Sequence, residues 1–228
     1  MVPRRIRVLV PTAVLMLSGL GMLWGCGTTG PSFQVRDDPW RTPEERACLA
    51  SGVVRQTAFV RARSALGGPS VCGAVEPFEM SAADNGRVAF NPPAALRCPM
   101  IPQLDRWVKE VVEPAARYQF GQQLVGIKVL ASYSCRPMNN VEGAMISEHA
   151  YANAIDVGGF TLADGTTISV QRGWNGSRAE QAFLRVVHDG SCAYFTTVLG
   201  PNYNSLHSNH FHLDLAHHGR DGLMHICK

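Results

Sequence analysis

The pattern that most restricts how this chain can fold is a pair of histidine-bearing stretches that lie far apart in sequence. The first runs Ser147-Glu148-His149 and, after six more residues, reaches Asp156; the second reads His207-Ser208-Asn209-His210-Phe211-His212. Together they offer a carboxylate, a lone imidazole and a His-x-His with one histidine to spare. A catalytic zinc site takes three protein ligands and leaves a fourth position to water, so the count fits. Side chains alternate along a strand, which puts His210 and His212 on one face and Phe211, Leu213 and Leu215 on the other. One face is expected to do chemistry while the other packs.

The flanking pattern supplies elements to carry these residues. Residues 154–162 and 166–170 read as two strands joined by a turn at Asp164-Gly165, which places Asp156 on a hairpin. Residues 124–133 alternate well enough for a further strand, and residues 52–91 read as short strands joined by turns such as Asp84-Asn85-Gly86. From Pro99, the spacing of Ile101, Leu104, Trp107, Val108, Val111 and Val112 makes a helical face, which Pro114 should kink or interrupt. Residues 178–189 repeat that spacing with Ala182, Phe183, Val186 and Val187, and Gly190 is expected to cap the end. Thr42-Pro43-Glu44-Glu45 announces an earlier helix, with Thr42 as N-cap and Glu45 closing a capping box. His188 falls in a last helical turn, where the dipole favours it, and His217, His218 and His225 are expected at the surface, or at most as neighbours that support a ligand.

The beginning of the chain is of another character. Residues 1–25 carry Arg4, Arg5 and Arg7 ahead of an apolar run, the pattern of an export signal. The run ends in Leu23-Trp24-Gly25-Cys26, which resembles a bacterial lipobox, so lipidation at Cys26 and a periplasm-facing, membrane-anchored domain are expected. Residues 26–41 are expected to be a tether, and 42–228 a single domain. Those first 25 residues hold three of the 21 basic residues and none of the 18 acidic ones, so the chain from Cys26 onward is balanced at 18 against 18. No basic surplus is left to neutralise a phosphate backbone, and nucleic-acid binding is not expected.

Apart from Cys26, six cysteines remain: Cys48, Cys72, Cys98, Cys135, Cys192 and Cys227. An even number behind an export signal points to disulfides, and no Cys-x-x-Cys offers a zinc-cysteine alternative. Six cysteines allow 15 connectivities. The nearest-neighbour set is the expectation: Cys48 with Cys72, Cys98 with Cys135, and Cys192 with Cys227. No Gly-x-Ser-x-Gly elbow is present to suggest a serine hydrolase.

Several spaced blocks resemble the bacterial extensin-like C-terminal domain, within the wider group of LAS zinc peptidases (lysostaphin-like endopeptidases, D-Ala-D-Ala carboxypeptidases and Hedgehog N-domains). They are Arg97-Cys98-Pro99, Leu104-Asp105-Arg106-Trp107, Ser132-Tyr133-Ser134-Cys135-Arg136, residues 147–157, Leu199-Gly200-Pro201 and His210-Phe211-His212-Leu213-Asp214. The resemblance implies that His149, Asp156 and His212 bind Zn2+ and that His210 is the acid/base partner. It makes Arg136, Ser147 and His207 candidate substrate contacts, with Glu148 pointing to solvent. It also implies the fold: α+β, a small, mainly antiparallel sheet carrying the ligands, with helices on its other face. A peptidase or amidase acting on peptidoglycan stem peptides is the implied activity, and a zinc-stabilised wall-binding module is the alternative. Two positions depart from the relatives' pattern. Ala152 stands where most have Gly, which is tolerable if φ there is negative. Asn209 stands where the carboxypeptidase branch has Glu, so base duty passes to His210 or to a carboxylate from elsewhere.

Overall fold

The computed structural model describes residues 33–35 and 37–228, so the expected export signal and Cys26 lie outside the described residues. In chain order the elements are α1 (Arg41–Ser51), β1 (Val60–Ala62), β2 (Leu66–Gly67), β3 (Gly73–Ala74), β4 (Phe78–Ala83), β5 (Val88–Leu96), α2 (Met100–Trp107), α3 (Glu113–Phe120) and β6 (Leu124–Ala131). Then come β7 (Ala154–Leu162), β8 (Thr167–Ser169), α4 (Val170–Gly173), α5 (Arg178–Ser191), β9 (Thr197–Leu199), β10 (Phe211–Asp214) and β11 (Ile226–Cys227). The fold is α+β, but the sheet is larger than expected. Nine strands join in the order β1-β4-β5-β6-β7-β10-β9-β11, with β8 also paired to β7. Most neighbours are antiparallel; β5 with β6 and β9 with β11 are parallel.

The long strand β7 explains where a site can form. Its first residues pair with β10, Phe211 opposite Val157 and Leu213 opposite Ile155, and its later residues pair with β8. All four of those apolar side chains are fully buried in the main core. The residues between them, Asp156 and His212, therefore share the opposite face by strand alternation.

The helical layer covers the core face. Trp107, Phe160, Phe183, Phe195 and Phe211 are almost completely buried there and meet in tilted and edge-on contacts, Phe160 against Phe183 at 5.1 Å between centroids. Burying each such ring removes apolar surface worth about 1.5–3 kcal/mol. Pro114 does not break its helix. Residues Val108–Val112 form a π turn, in which the N–H of Glu113 reaches the carbonyl of Val108, and α3 restarts with the proline in its first turn. The widened turn accommodates a residue that has no N–H to donate.

Several local expectations are corrected. α1 starts two residues earlier than expected, at Arg41 with Trp40 as N-cap, without a side-chain cap, because the Glu45 carboxylate is taken by the Arg97 guanidinium and the Cys98 N–H. A distant buried cation outcompetes the local capping box. Gly190 lies inside α5, where a Cβ would stand 2.5 Å from a Val111 methyl, so its role is close packing between helices. Val186 is 49% exposed, and Leu184 takes its place in the core. The unpredicted Ser177–Glu180 capping box opens that helix.

The disulfides are Cys48–Cys98, Cys72–Cys135 and Cys192–Cys227. Only the last matches the nearest-neighbour expectation. Cys48 lies on α1, which the Arg97–Glu45 pair draws against the start of α2, and Cys72 belongs to a small β2–β3 excursion that packs beside the loop after β6. Sequence proximity loses to the layering of the fold.

The segment expected as a tether is already part of the fold from Phe33. Gln34 bridges to Met145, its N–H donating to Ala144 and its carbonyl accepting from Ile146, both at 2.8 Å. Phe33 joins a second, smaller core made of Cys72, Cys135, Ile146, Ala150 and Tyr151. Among the described residues no helix is long and apolar enough to cross a membrane.

Candidate metal centre

Three donors meet on the face of the sheet opposite the helices. His149 arrives on a single 3-10 turn, Glu148–Tyr151, whose N-cap Ser147 accepts from the His149 N–H at 3.4 Å. Ala152 then turns the chain back toward β7 in a left-handed conformation, φ 54°. The condition under which alanine would be tolerated there, a negative φ, is not met: the turn needs the left-handed backbone that glycine adopts freely, and this chain carries it with a fully buried alanine. Asp156 comes next on β7, and His212 lies directly across from it on β10.

The outer hydrogen bonds fix how the two rings present themselves. Nδ1 of His149 lies 2.5 Å from the carbonyl oxygen of Ser132, so it carries a proton and donates it. Nε2 of His149 is left as a lone pair facing Asp156 Oδ1 and His212 Nδ1, each at 3.2 Å. On the other side, Nε2 of His212 donates to Asp214 Oδ2 at 2.8 Å, which turns Nδ1 toward Asp156 Oδ1 at 3.0 Å. Two inward nitrogens and a carboxylate oxygen thus converge, all within 4.8 Å of one another. Lone pairs at such spacing repel unless a cation sits among them. Fixing a ligand's tautomer from outside is what neighbours of metal-binding histidines do, so these residues fit a metal ion.

Without a metal, a proton has to fill that role. Burial disfavours charge on His212, but the carboxylates of Asp156 and Asp214 outweigh it and raise its pKa to about 10. Burial likewise acts to raise Asp156, and the His149 and His212 imidazoles beside its carboxylate overcome this and hold it far below the usual carboxylate range. The centre is a trap for positive charge.

Around it lie the other expected residues. Nδ1 of His210 donates to Asn209 Oδ1 at 2.7 Å, and its Nε2 stands 3.4 Å from Asp156 Oδ1. Burial lowers the pKa of His210, so the ring holds an available lone pair near neutral pH. Asn209, where the relatives' Glu was missed, therefore orients the neighbouring imidazole. His207 donates to Asn204 Oδ1, and burial together with His210 and His212 lowers it to about 4. Arg136 reaches to 4.0 Å from Asp156 Oδ2. Arg136, Ser147, His207 and His210 line one cleft of about 370 Å3, to which Met138, Leu199, Leu206 and Tyr203 add apolar lining.

Some assignments change. Glu148 does not point to solvent: it is gripped by Arg41 at 2.8 and 2.9 Å and by Asn153 at 2.7 Å. His218, expected at the surface or at most as a neighbour of the site, lines the cleft and bonds Thr197 Oγ1 at 2.7 Å. His217 stacks on Trp40 and pairs with Glu44, whereas His225 is exposed, as expected. His188 is buried against Trp174 and Phe211 and bonds the Lys228 carbonyl, away from the site. Asp214 is the functional residue that sequence reasoning missed. The same alternation that groups His210 with His212 reaches two residues further to Asp214, so the signal was there.

A family model described as Extensin-like protein C-terminus matches residues 46–228. No curated protein and no solved structure matches the chain. The match spans most of the sequence, including all three converging donors, all six bonded cysteines and the whole nine-stranded sheet, and on that extent the chain belongs to the extensin-like C-terminal family.

Proposed function

We propose that the protein is a zinc-dependent peptidase or amidase, related to the LAS peptidases, that acts on peptidoglycan stem peptides or their cross-links at the cell envelope. The observation that carries this reading is the convergence of His149, Asp156 and His212, with both tautomers held from outside, on the floor of an open cleft. Bonds of about 2.05 Å to a tetrahedral zinc would separate its ligand atoms by about 3.3 Å, close to the 3.0 and 3.2 Å spacings here. Export and anchoring at Cys26 belong to the proposal and rest on the sequence of the first residues.

A zinc ion there would supply Lewis acidity toward a water and a scissile carbonyl. The chain's own residues do the rest. His210, neutral and oriented by Asn209, takes a proton at Nε2 and returns it to the leaving amine. Arg136 offers two parallel hydrogen bonds to a peptide carboxylate or a developing oxyanion. The floor also suits a chain molecule. Leu199 lies across from His212, Thr197 across from Asp214, and Ile226 across from Thr197, so one face runs from β7 to β11 over about 14 Å. Arg136 and Met138 line the cleft from the loop after β6. A face of that length suits a substrate that continues past the bond to be cut.

Asn209 in place of a carboxylate favours one second reading, a zinc-stabilised wall-binding module without turnover. Elemental analysis of the purified protein and of His149→Ala, alongside digestion of purified sacculi, separates the two. Near-stoichiometric zinc lost in the variant, with muropeptides released only by the wild type, supports the hydrolase. Zinc with sacculus binding but no release supports the module, and absence of zinc from folded wild type removes both.

A further inference from the structure

The family match begins at residue 46, yet residues that precede it reach the cleft and the turn that carries the first donor. Asp38 lines the cleft, and the backbone of Gln34 is bonded on both sides to the loop that leads into Ser147. Arg41 makes the strongest connection. Its guanidinium grips both oxygens of Glu148, the residue before the first donor, holds Asp38 at 2.7 Å, and lies over the Tyr151 ring at 3.9 Å. Glu148 passes the restraint on by accepting from the Asn153 side chain, at the other end of the same turn. The turn closes backbone bonds of its own, from Ala150 to Ser147, Ala152 to His149 and Asn153 to Glu148, and its exit at Ala152 is left-handed. Those bonds set its shape; where it stands relative to β7 and β10 depends on the groups that hold it from outside.

We propose that residues 33–35 and 37–41 act as a strap that positions the turn carrying His149, with Arg41 as the positioning residue, so that metal affinity depends on residues outside the family module. This rests on the reading of His149, Asp156 and His212 as a metal site. The strap and the turn share the small core of Phe33, Ile146, Ala150 and Tyr151, separate from the main core. Loosening the strap should therefore free the turn while β7 and β10 stay paired. Groups that orient ligands from outside typically change metal affinity 10–100-fold.

The test measures zinc affinity of the full chain by competition with a chromophoric chelator, for wild type, Arg41→Ala, Arg41→Lys and Gln34→Pro. Arg87→Ala, which breaks the Arg87–Asp84 pair away from the turn, serves as control. Arg41→Ala should weaken binding about 10–100-fold, and Arg41→Lys should recover part of the loss. Gln34→Pro, which removes the N–H to Ala144 and leaves Arg41 in place, should weaken it less, and the control should match wild type. Hydrogen exchange on the metal-free proteins should quicken at residues 144–153 and not along β7 and β10. Equal affinities in all variants overturn the proposal, as does exchange that quickens evenly over the sheet, which would make Arg41 a general stabiliser. Should Arg41→Ala fail to fold, Gln34→Pro decides alone. Wild type without zinc overturns the metal reading and this proposal together; zinc bound with an affinity indifferent to the strap overturns only the proposal.

Discussion

Asp156 and His212 come from strands, His149 from a turn, and the two halves of the centre are held by different physics. The strand half is fixed by ladder hydrogen bonds, with Asp156 and His212 as direct cross-strand partners over a fully buried apolar face. The turn half has no ladder. It is held by a disulfide to the β2–β3 excursion, by an ion pair to Arg41 and by a small separate core. A sheet positions side chains as a by-product of its period; a turn has to be restrained piece by piece, and each restraint is a place where it can fail. The halves should therefore respond differently to perturbation.

The largest separation is expected from removing Cys72–Cys135. Closing a loop with a separation of 63 residues contributes about 4 kcal/mol in the chain-entropy account. The double variant Cys72→Ser/Cys135→Ser should lose about that much in denaturant unfolding, and hydrogen exchange should place the earliest loss of protection at residues 144–153. Removing Cys192–Cys227, beside β9 and α5, should destabilise without that local signature. Loss of protection that is equal in both variants would join the two halves into one unit.

Asp214→Asn probes the strand half. The amide can still accept from His212 Nε2, but the charge that raises the basicity of the ring is gone. Zinc affinity should fall about 10–100-fold by chelator competition, with the β7–β10 ladder intact by hydrogen exchange. An unchanged affinity would reduce Asp214 to a fold contact with Thr197 and the Ala216 N–H.

How much of this was legible divides along the same line. Residues 154–162 were readable as a strand to the residue, and the next hairpin strand to within a residue of each end, because alternation reports on one ladder at a time. The spacing from His149 to Asp156 and the His-x-His marked the donors, and alternation would also have yielded Asp214. The turn's restraints left no such trace. Arg41 and Glu148 are 107 residues apart, and nothing local distinguishes that arginine from an exposed one. The Thr42 capping motif was locally sound and was overridden by Arg97, which is 2% exposed and claims Glu45. Cysteine pairing is degenerate by counting alone. Period shows strands; it does not show which distant side chain closes on a turn.

Proton linkage sharpens the comparison further, because the competing proton sits on the strand half. The folded pKa of His212 is raised from 6.5 to about 10 in the metal-free protein. Its contribution to metal-free stability is therefore complete below about 6.5 and lost as pH rises through about 10. A metal must displace that proton, so affinity should rise about tenfold per pH unit across this window. Calorimetry between about pH 6.5 and 8.5, in buffers of different ionisation enthalpy, should find close to one proton released per zinc. Release of none would mean that Nδ1 of His212 is already bare, and that the two lone pairs face each other without a cation.

The smallest effect expected is at Ala152, where the turn half hands over to β7. An alanine at φ 54° carries a left-handed cost of about 1–2 kcal/mol, which Ala152→Gly would relieve. Against that, the Ala152 side chain is fully buried, so deleting its methyl forfeits about 0.8 kcal/mol, and glycine adds freedom to the unfolded chain worth about 0.4–1 kcal/mol. The opposing contributions nearly cancel, leaving a net change within about 1 kcal/mol and a melting shift of at most about 2–4 °C. The more telling readout is metal affinity. If the strap and the disulfide already dictate the turn, relieving the backbone leaves affinity unchanged; if Ala152 itself stiffens the turn for His149, the glycine variant binds zinc more weakly although it unfolds no sooner.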